Sequence, residues 1–144
     1  MKLEIREIEE KDYTGVLSLW NNELGNSRVT AENIASHYDR IKNDERYKIF
    51  VAVLGDDVVG LISSVWSYAV GFEVGYMHIN GIAVKSGTQG MGVGAKLLER
   101  MEEHAKSIGI STALIGCNVG RTKSHAFYEN KGYSKDSWLF DKKL

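Results

Sequence analysis

Hydrophobic positions in the first third of the chain follow two different periods. Leu3, Ile5 and Ile8 begin with a spacing of two, which predicts a strand over residues 2–8 with one buried face. After Asp12 the apolar residues are spaced by three and four, which predicts the inner stripe of a helix with Asp12 as its N-cap. These apolar positions are Val16, Leu17, Leu19, Trp20 and Leu24.

The middle of the chain is rich in β-branched and aromatic residues. A second helix is expected from Thr30 to Ile41, and two strand-like runs, 47–54 and 58–68, then flank a Gly-Asp-Asp turn, which predicts a hairpin. The next apolar segment, 72–84, contains small and polar residues, which predict a bulge or a close approach of a ligand to the backbone. These interruptions are Gly75, His78, Asn80 and Gly81.

The second half alternates helices with short strands. An amphipathic helix is expected over 93–108, a buried strand over 110–116, a helix over 122–131 and a last strand over 133–140. The element order is therefore β-α-α-β-β-β-α-β-α-β, and its strand-helix-strand unit implies one parallel pairing. We predict an α+β fold with one central mixed, mostly antiparallel sheet and helices on both faces.

Composition sets limits on the class of protein. With 144 residues, 43% of them hydrophobic, the chain is expected to form one domain, 1–144, around a single core. A formal net charge of -1 gives no global attraction to nucleic acid or to a membrane surface. The single cysteine, Cys117, excludes an internal disulfide, and neither a signal peptide nor a membrane span is recognisable, so we expect a cytoplasmic protein.

The strongest candidate chemistry lies where the strand ending at Val84 meets the helix after it. Gly90, Gly92 and Gly94 stand at alternate positions there. A tight turn alone would explain one or two of them, and glycine at a helix start costs about 1 kcal/mol relative to alanine. A glycine-rich turn ahead of a helix directs several backbone N–H groups at one point, where the helix dipole adds to their attraction for an anion. The pattern therefore predicts a phosphate site.

Two common phosphate loops fit this stretch poorly. The Gly-Lys-Ser/Thr that supplies the lysine and the magnesium-binding hydroxyl of a nucleotide-hydrolase loop is missing. A dinucleotide fingerprint would have to open the first helix of a larger parallel sheet, which this chain is too short to build around residue 90.

Two motifs resemble those of the GNAT family of N-acetyltransferases. Residues 89–94, Gln-Gly-Met-Gly-Val-Gly, are similar to the family's acyl-CoA signature Gln/Arg-x-x-Gly-x-Gly/Ala. Residues 126–133, Ala-Phe-Tyr-Glu-Asn-Lys-Gly-Tyr, resemble its helix ending in Phe-Tyr-Glu-x-x-Gly-Phe. The resemblance implies transfer of an acetyl group from acetyl-CoA, as co-substrate, to a primary amine of a small molecule or peptide. It implies direct attack in a ternary complex, with no metal, and it is compatible with a homodimer.

The resemblance also implies a set of cofactor-binding residues. Backbone amides of 89–95 would hold the CoA pyrophosphate, the preceding strand would pair with the pantetheine arm, and the amide after the strand bulge would polarise the thioester carbonyl. Where the family usually has an asparagine for the pantetheine this chain has Arg121, so Arg121 and Asn118 are alternatives. The full set is Ile82, Ala83, Val84, Gln89, Gly90, Met91, Gly92, Val93, Gly94, Ala95, Asn118, Arg121, Phe127 and Tyr128.

Three residues are catalytic candidates. Tyr128 matches the family's tyrosine that lies near the CoA sulfur and protonates the departing thiolate, and its alternative role is that of a packed helix aromatic. A base must take a proton from the amine, and we expect His78 and Glu73 to lie on the strand where the family often carries a glutamate, with His78 near that position. A lone histidine in an apolar strand is usually a core residue, which is the alternative role of His78, and a base supplied by water alone is the third alternative.

Two questions stay open at the level of sequence. The same fold could serve a non-catalytic acyl-CoA-binding or protein-interaction module. The acceptor pocket implied by the resemblance would be lined by residues 20–28, Tyr38 and Trp138, and Glu23 or Glu32 would suit a cationic amine.

Overall fold

A computed structural model describes residues 2–88, 90–117 and 119–144. It contains two compact units, Met1–Leu114 and Ile115–Leu144. The strands are β1 (Leu3–Glu7), β2 (Tyr47–Leu54), β3 (Asp57–Ser67), β4 (Tyr76–Val84) and β5 (Ala113–Ile115). The helices are α1 (Tyr13–Ser18), α2 (Ile34–Ile41), α3 (Val93–Ser107) and α4 (Thr122–Asn130), with a 3₁₀ turn at Glu10–Asp12 and a π turn at Leu19–Glu23.

The five strands form one sheet in the order β1-β2-β3-β4-β5. β2 and β3 form the predicted hairpin, and the pairs β1/β2, β2/β3 and β3/β4 are antiparallel. In β4, Ile79 lies opposite Ser64 and Gly81 lies opposite Ser63, so Asn80 is an extra residue without a partner position. The bulge that the polar interruptions predicted is therefore confirmed.

The sheet is covered on both faces, as predicted. On the first face, Val51, Leu61 and Ala83 pack beneath α1 and α2 in one buried cluster. On the second face, α3 buries Leu97 and Met101, both 0% exposed, and Met101 Sδ receives a hydrogen bond from Ser64 Oγ at 3.1 Å. Each buried aliphatic side chain stabilises the fold by roughly 1.5–3 kcal/mol, so these two layers hold the first unit together.

The helix that was predicted to follow Asp12 differs from expectation in its N-terminal cap and in its last turn. The Asp12 carboxylate does not cap α1; it accepts hydrogen bonds from both terminal nitrogens of Arg6 (2.7 and 2.9 Å) and from the Glu9 N–H (2.8 Å). Burial alone would raise the pKa of Asp12, but these hydrogen bonds outweigh burial, so its pKa is lowered. After Ser18 the helix continues as the π turn.

The prediction of a last strand was wrong. Residues 133–140 contain no strand, and Trp138 and Phe140 are 75% and 91% exposed. Strand propensity expresses how well a side chain fits a half-buried sheet surface, and this segment has no such surface to cover. Among the described residues, no helix has both the length and the apolar character needed to cross a bilayer.

Gly60 sets how closely α3 approaches the sheet. A Cβ added at this residue would lie 2.9 Å from Leu97 Cδ1, 2.9 Å from Val93 Cγ1 and 3.2 Å from the Ala83 carbonyl oxygen. These distances are below van der Waals contact, so only glycine allows α3 to pack here without displacement.

Gly60→Ala is therefore expected to lower the free energy of unfolding by about 1–3 kcal/mol through overpacking. Gly71→Ala is the matched control, because no described atom lies within 4 Å of a Cβ at Gly71. Denaturant unfolding of the two variants checks this expectation. Equal stability of both would contradict the proposed contact between α3 and β3.

His104 lies on α3 against the sheet. Its ring meets the Phe50 ring edge-on, with centroids 6.1 Å apart, and Arg100 stacks on Phe50 with its Cζ 4.4 Å from the ring centroid. His104 Nε2 is buried and has no hydrogen-bond partner among the described residues. Burial lowers the pKa of His104, the cations Lys48 and Arg100 lower it further, and Glu7 opposes them.

A lowered histidine pKa makes stability depend on pH in a definite direction. Below pH about 6.5, His104 takes up a proton in the unfolded chain but stays neutral in the folded chain until the pH reaches its lower folded-state pKa. The free energy of unfolding therefore falls as the pH drops toward that pKa. His104→Leu should therefore lose less stability than the wild type between pH 7.5 and pH 5.5. Urea unfolding at both pH values measures this, and an identical pH dependence in the two proteins would rule out the contribution of His104.

Candidate functional site

The end of β4 leads directly into the glycine loop. Beyond the bulge, Ile82 lies opposite Ile62 and Val84 lies opposite Gly60 in β3. Ile82 and Val84 are half-buried, and Ala83 is buried in the core. Near the start of β4, the Met77 N–H donates to the Thr112 carbonyl at 2.9 Å, just before β5 begins.

Hydrogen bonds to β3 and within the loop hold the first part of the loop. Lys85 N–H donates to the Val59 carbonyl at 2.8 Å, and Lys85 Nζ pairs with Asp57 at 2.8 Å. The Lys85 carbonyl in turn accepts from the Thr88 N–H (3.2 Å) and from the Thr88 hydroxyl (2.6 Å). The chain is thus fixed to β3 at the point where it leaves the sheet.

The glycines that follow have left-handed backbone conformations. Their φ angles are +91° at Gly87, +88° at Gly90 and +70° at Gly92, a region that residues with a Cβ rarely adopt. No described atom lies within 4 Å of a Cβ built at any of the three. Backbone conformation therefore requires these glycines, and the surface over them is open. Gly94 differs, because it lies inside α3 and its φ is not positive.

The open loop ends at the N-terminus of α3. Gly92 occupies the N-cap position without a side-chain cap, and its carbonyl accepts the Lys96 N–H at 3.0 Å. The N–H groups of the first helical turn have no acceptor within the helix, and they carry the positive end of its dipole. Val93 is 2% exposed, so it can offer a ligand only its backbone, whereas Met91 is 39% exposed. Ala95 is half-buried in the same turn, and Gln89 lies outside the described residues.

The π turn packs against the same region of β4. The Trp20 ring covers Gly81, where a Cβ would lie 2.9 Å from Trp20 Cη2, and Trp20 Nε1–H donates to Tyr38 Oη at 2.8 Å. Tyr38 is 7% exposed, and burial raises its pKa. Tyr38 is thus a core residue here. Glu23, at the end of the π turn, binds Ser86 in the loop, a contact that no sequence pattern indicated.

The two base candidates are placed differently. His78 lies in β4, opposite Val65 in β3, and is half-buried. Glu73 is exposed in the connection between β3 and β4, because β4 begins only at Tyr76. The expectation that Glu73 lies on the strand was therefore wrong. The described residues contain no group of three or more His, Cys, Asp and Glu residues that could hold a metal ion.

The second unit carries Tyr128 on α4. Tyr128 is half-buried between the rings of Phe127 and Tyr133, with centroid distances of 5.4 and 6.1 Å. Burial raises the pKa of Tyr128 to about 12; the neighbouring Cys117 adds to the rise and Arg121 opposes it. The phenol is therefore protonated at neutral pH. Burial also raises the pKa of the Cys117 thiol, which fits a packing role better than a nucleophile.

Of the two candidates for pantetheine binding in this unit, only one is described. Arg121 is exposed at the N-cap of α4, and Asn118 lies outside the described residues. The assignment between them stays a prediction.

Known proteins match both the sequence and the fold. The family model described as the acetyltransferase (GNAT) family matches residues 3–133. A curated relative, the IAA acetyltransferase of Azospirillum brasilense, is 28% identical over 75 residues, which are 52% of this chain and 49% of the relative. The matched stretch thus spans about half the length of that relative.

Three solved structures share the fold at low sequence identity. A transcriptional regulator from Bacillus halodurans C-125 has a TM-score of 0.92 and 21% identity over 99% of this chain and 100% of its own. Glucosamine-6-phosphate N-acetyltransferase from Arabidopsis thaliana has a TM-score of 0.85 and 22% identity over 100% and 99%. An aminoglycoside N-acetyltransferase in complex with CoA has a TM-score of 0.85 and 14% identity over 99% and 95%.

The family match includes the glycine loop after β4 and the helix that carries Tyr128. It also extends over nearly all of the chain, from residue 3 to residue 133, and we conclude that this protein belongs to the GNAT family of acetyltransferases.

Proposed function

We propose that this protein transfers the acetyl group of acetyl-CoA to a primary amine of a small molecule or peptide by direct attack in a ternary complex. The observation that supports this most is the loop after β4, in which Gly90 and Gly92 hold left-handed conformations under an open surface at the start of α3. Such a loop presents backbone N–H groups without side chains in the way, which suits the two phosphates of CoA.

The pyrophosphate would lie on the amides of 89–95. The dipole of α3 favours negative charge at this end, and Gly92 needs no side-chain cap if an anion takes that place. Val93, Gly94 and Ala95 contribute backbone N–H groups from the first turn of the helix. The arrangement requires no basic side chain, which agrees with the weak net charge of the chain.

The pantetheine arm would run along the end of β4. Backbone groups of Ile82 and Val84 pair with its amides as an added strand would, and the amide that follows the bulge at Asn80 polarises the thioester carbonyl. The bulge supports this role, because it interrupts the ladder with β3 just before Ile82 and reorients the backbone there.

The chemical step requires two proton movements. The amine nitrogen attacks the carbonyl carbon, the carbon–sulfur bond breaks, the amine loses one proton and the sulfur gains one. Tyr128 acts at the sulfur. It donates a hydrogen bond to the developing thiolate and passes its proton to the sulfur, and water then reprotonates the tyrosinate, whose pKa of about 12 favours regaining the proton. Phe127 holds the Tyr128 ring in place.

His78 is the better candidate for the base of the two. It is fixed in β4, two residues after the strand begins at Tyr76, whereas Glu73 is an exposed residue of a connection. A base must be positioned to within hydrogen-bond reach of its proton, and a strand holds a side chain more firmly than an exposed loop does.

A second function deserves a test because one specific observation favours it. The structure with a TM-score of 0.92 bears the name of a transcriptional regulator rather than of an enzyme. A non-catalytic module that binds acyl-CoA as a ligand would use the same glycine loop but would release no thiol with any amine.

Acetyl-CoA binding is tested by placing a negative charge in the loop. Gly92→Glu should weaken acetyl-CoA binding about 100-fold, because a carboxylate near the pyrophosphate is strongly repelled. Gly109→Glu is the matched control: its φ is +82° and no described atom lies within 4 Å of its Cβ, but it lies beyond the other end of α3. Calorimetric titration of both variants measures the difference, and equal affinities would refute the proposed pyrophosphate site.

Catalysis is tested by removing one hydroxyl. Tyr128→Phe should lower turnover about 100-fold while changing the affinity for acetyl-CoA less than threefold, because the phenol acts on the departing sulfur. Thiol release is followed with polyamines, aminoglycosides, amino acids and peptides as acceptors. An unchanged rate with the best acceptor would remove Tyr128 from the mechanism, and acetyl-CoA binding without release across the panel would favour the non-catalytic module.

A further inference from the structure

We infer that Glu23 is a positioning residue for the acetyl-CoA loop, an inference that rests on the function proposed above. Both hydrogen-bond donors of Ser86 are directed at the Glu23 carboxylate. The Ser86 N–H lies 3.0 Å from Oε1, and the Ser86 hydroxyl oxygen lies 3.1 Å from Oε1 and 3.1 Å from Oε2. Ser86 stands directly before Gly87, so this contact fixes the loop where its left-handed segment begins.

The contact depends on the π turn that carries Glu23. The Leu24 N–H donates to the Leu19 carbonyl at 3.1 Å, an i to i+5 hydrogen bond. Such π turns are rare in proteins, and those that occur often lie at functional sites. Trp20 and Glu23 both extend from this turn toward β4 and the loop. Trp20 covers Gly81 and Glu23 binds Ser86, so one turn contacts the chain on both sides of the segment proposed to bind pantetheine.

The π turn is itself anchored, so it can act as a fixed support. The Asn21 side-chain amide donates to the Asn26 carbonyl at 2.7 Å and to the Val29 carbonyl at 2.9 Å. Trp20 donates to the buried Tyr38. Since these contacts connect the turn to the segment before α2 and to the core, the Glu23 carboxylate holds the loop in place and is not carried along by it.

The negative charge of Glu23 lies beside the loop that is proposed to bind an anion. A carboxylate this close to a site for a pyrophosphate repels the ligand, so electrostatics alone disfavours glutamate at this position. The hydrogen bonds that Glu23 accepts from Ser86 offset this repulsion by fixing the loop. Glu23→Gln keeps a side-chain oxygen for the Ser86 N–H and removes the charge, whereas Glu23→Ala removes both. If charge alone mattered, both variants would bind acetyl-CoA more tightly than the wild type. If Glu23 positions the loop, only Glu23→Ala binds more weakly.

The experiment compares acetyl-CoA binding and turnover in four proteins. Glu23→Ala should weaken acetyl-CoA binding about tenfold and raise its KM, with kcat changed less than twofold. Glu23→Gln should bind as tightly as the wild type or more tightly. Glu103→Ala, which removes an exposed carboxylate from α3, is the control and should match the wild type.

Hydrogen exchange adds a readout that needs no ligand. In the unliganded protein, Glu23→Ala should speed exchange at the Ser86 amide and in the following loop, with no change in α2 or β2. Slowed or unchanged exchange there, or equally weak binding by Glu23→Ala and Glu23→Gln, would overturn the inference. If the wild type binds acetyl-CoA and Glu23→Ala binds it equally tightly, this inference is overturned while the proposed function stands. Failure of the wild type to bind acetyl-CoA would overturn the proposed function and this inference with it.

Discussion

The packing of α3 against the sheet at Gly60 is the contact on which the site depends. The first turns of α3 lie directly on β3, which places its N-terminus near the end of β4, and a Cβ at Gly60 would displace them. Val93 and Leu97 are buried by that contact, and Val93 is also the first residue of the helix. The N-terminus of α3 is thus fixed by the core, and the short loop between β4 and α3 reverses the chain direction with left-handed glycines.

Backbone geometry and side-chain chemistry are divided between different elements. The loop and β4 offer backbone groups from residues whose side chains serve the core or are absent, as at Val93 and Gly92. Tyr128 on α4 offers a phenol whose raised pKa keeps it protonated. If the proposed function is correct, the coenzyme is bound mostly by backbone groups, and such binding constrains few side chains.

Sequence patterns predicted the parts of the fold that local physics decides. The hairpin, the bulge in β4 and the amphipathic α3 follow from periodicity and from small or polar residues in apolar runs. The strand over 133–140 was predicted from a local pattern of residues and is absent, because a local pattern does not say whether a neighbouring sheet surface exists. Asp12 was assigned a cap by its position, but Arg6 on β1 competes for its carboxylate. The contact of Glu23 with Ser86 joins residues far apart in sequence, and no local signal could show it.

The most direct test of the central claim is a titration of ¹⁵N-labelled protein with CoA, followed by backbone amide chemical shifts. If the loop after β4 binds the pyrophosphate, the largest saturable shifts will fall on the amides from Gly90 to Ala95, with smaller ones at Ile82 to Val84. Saturable shifts confined to other parts of the chain, or none at millimolar CoA, would contradict the account.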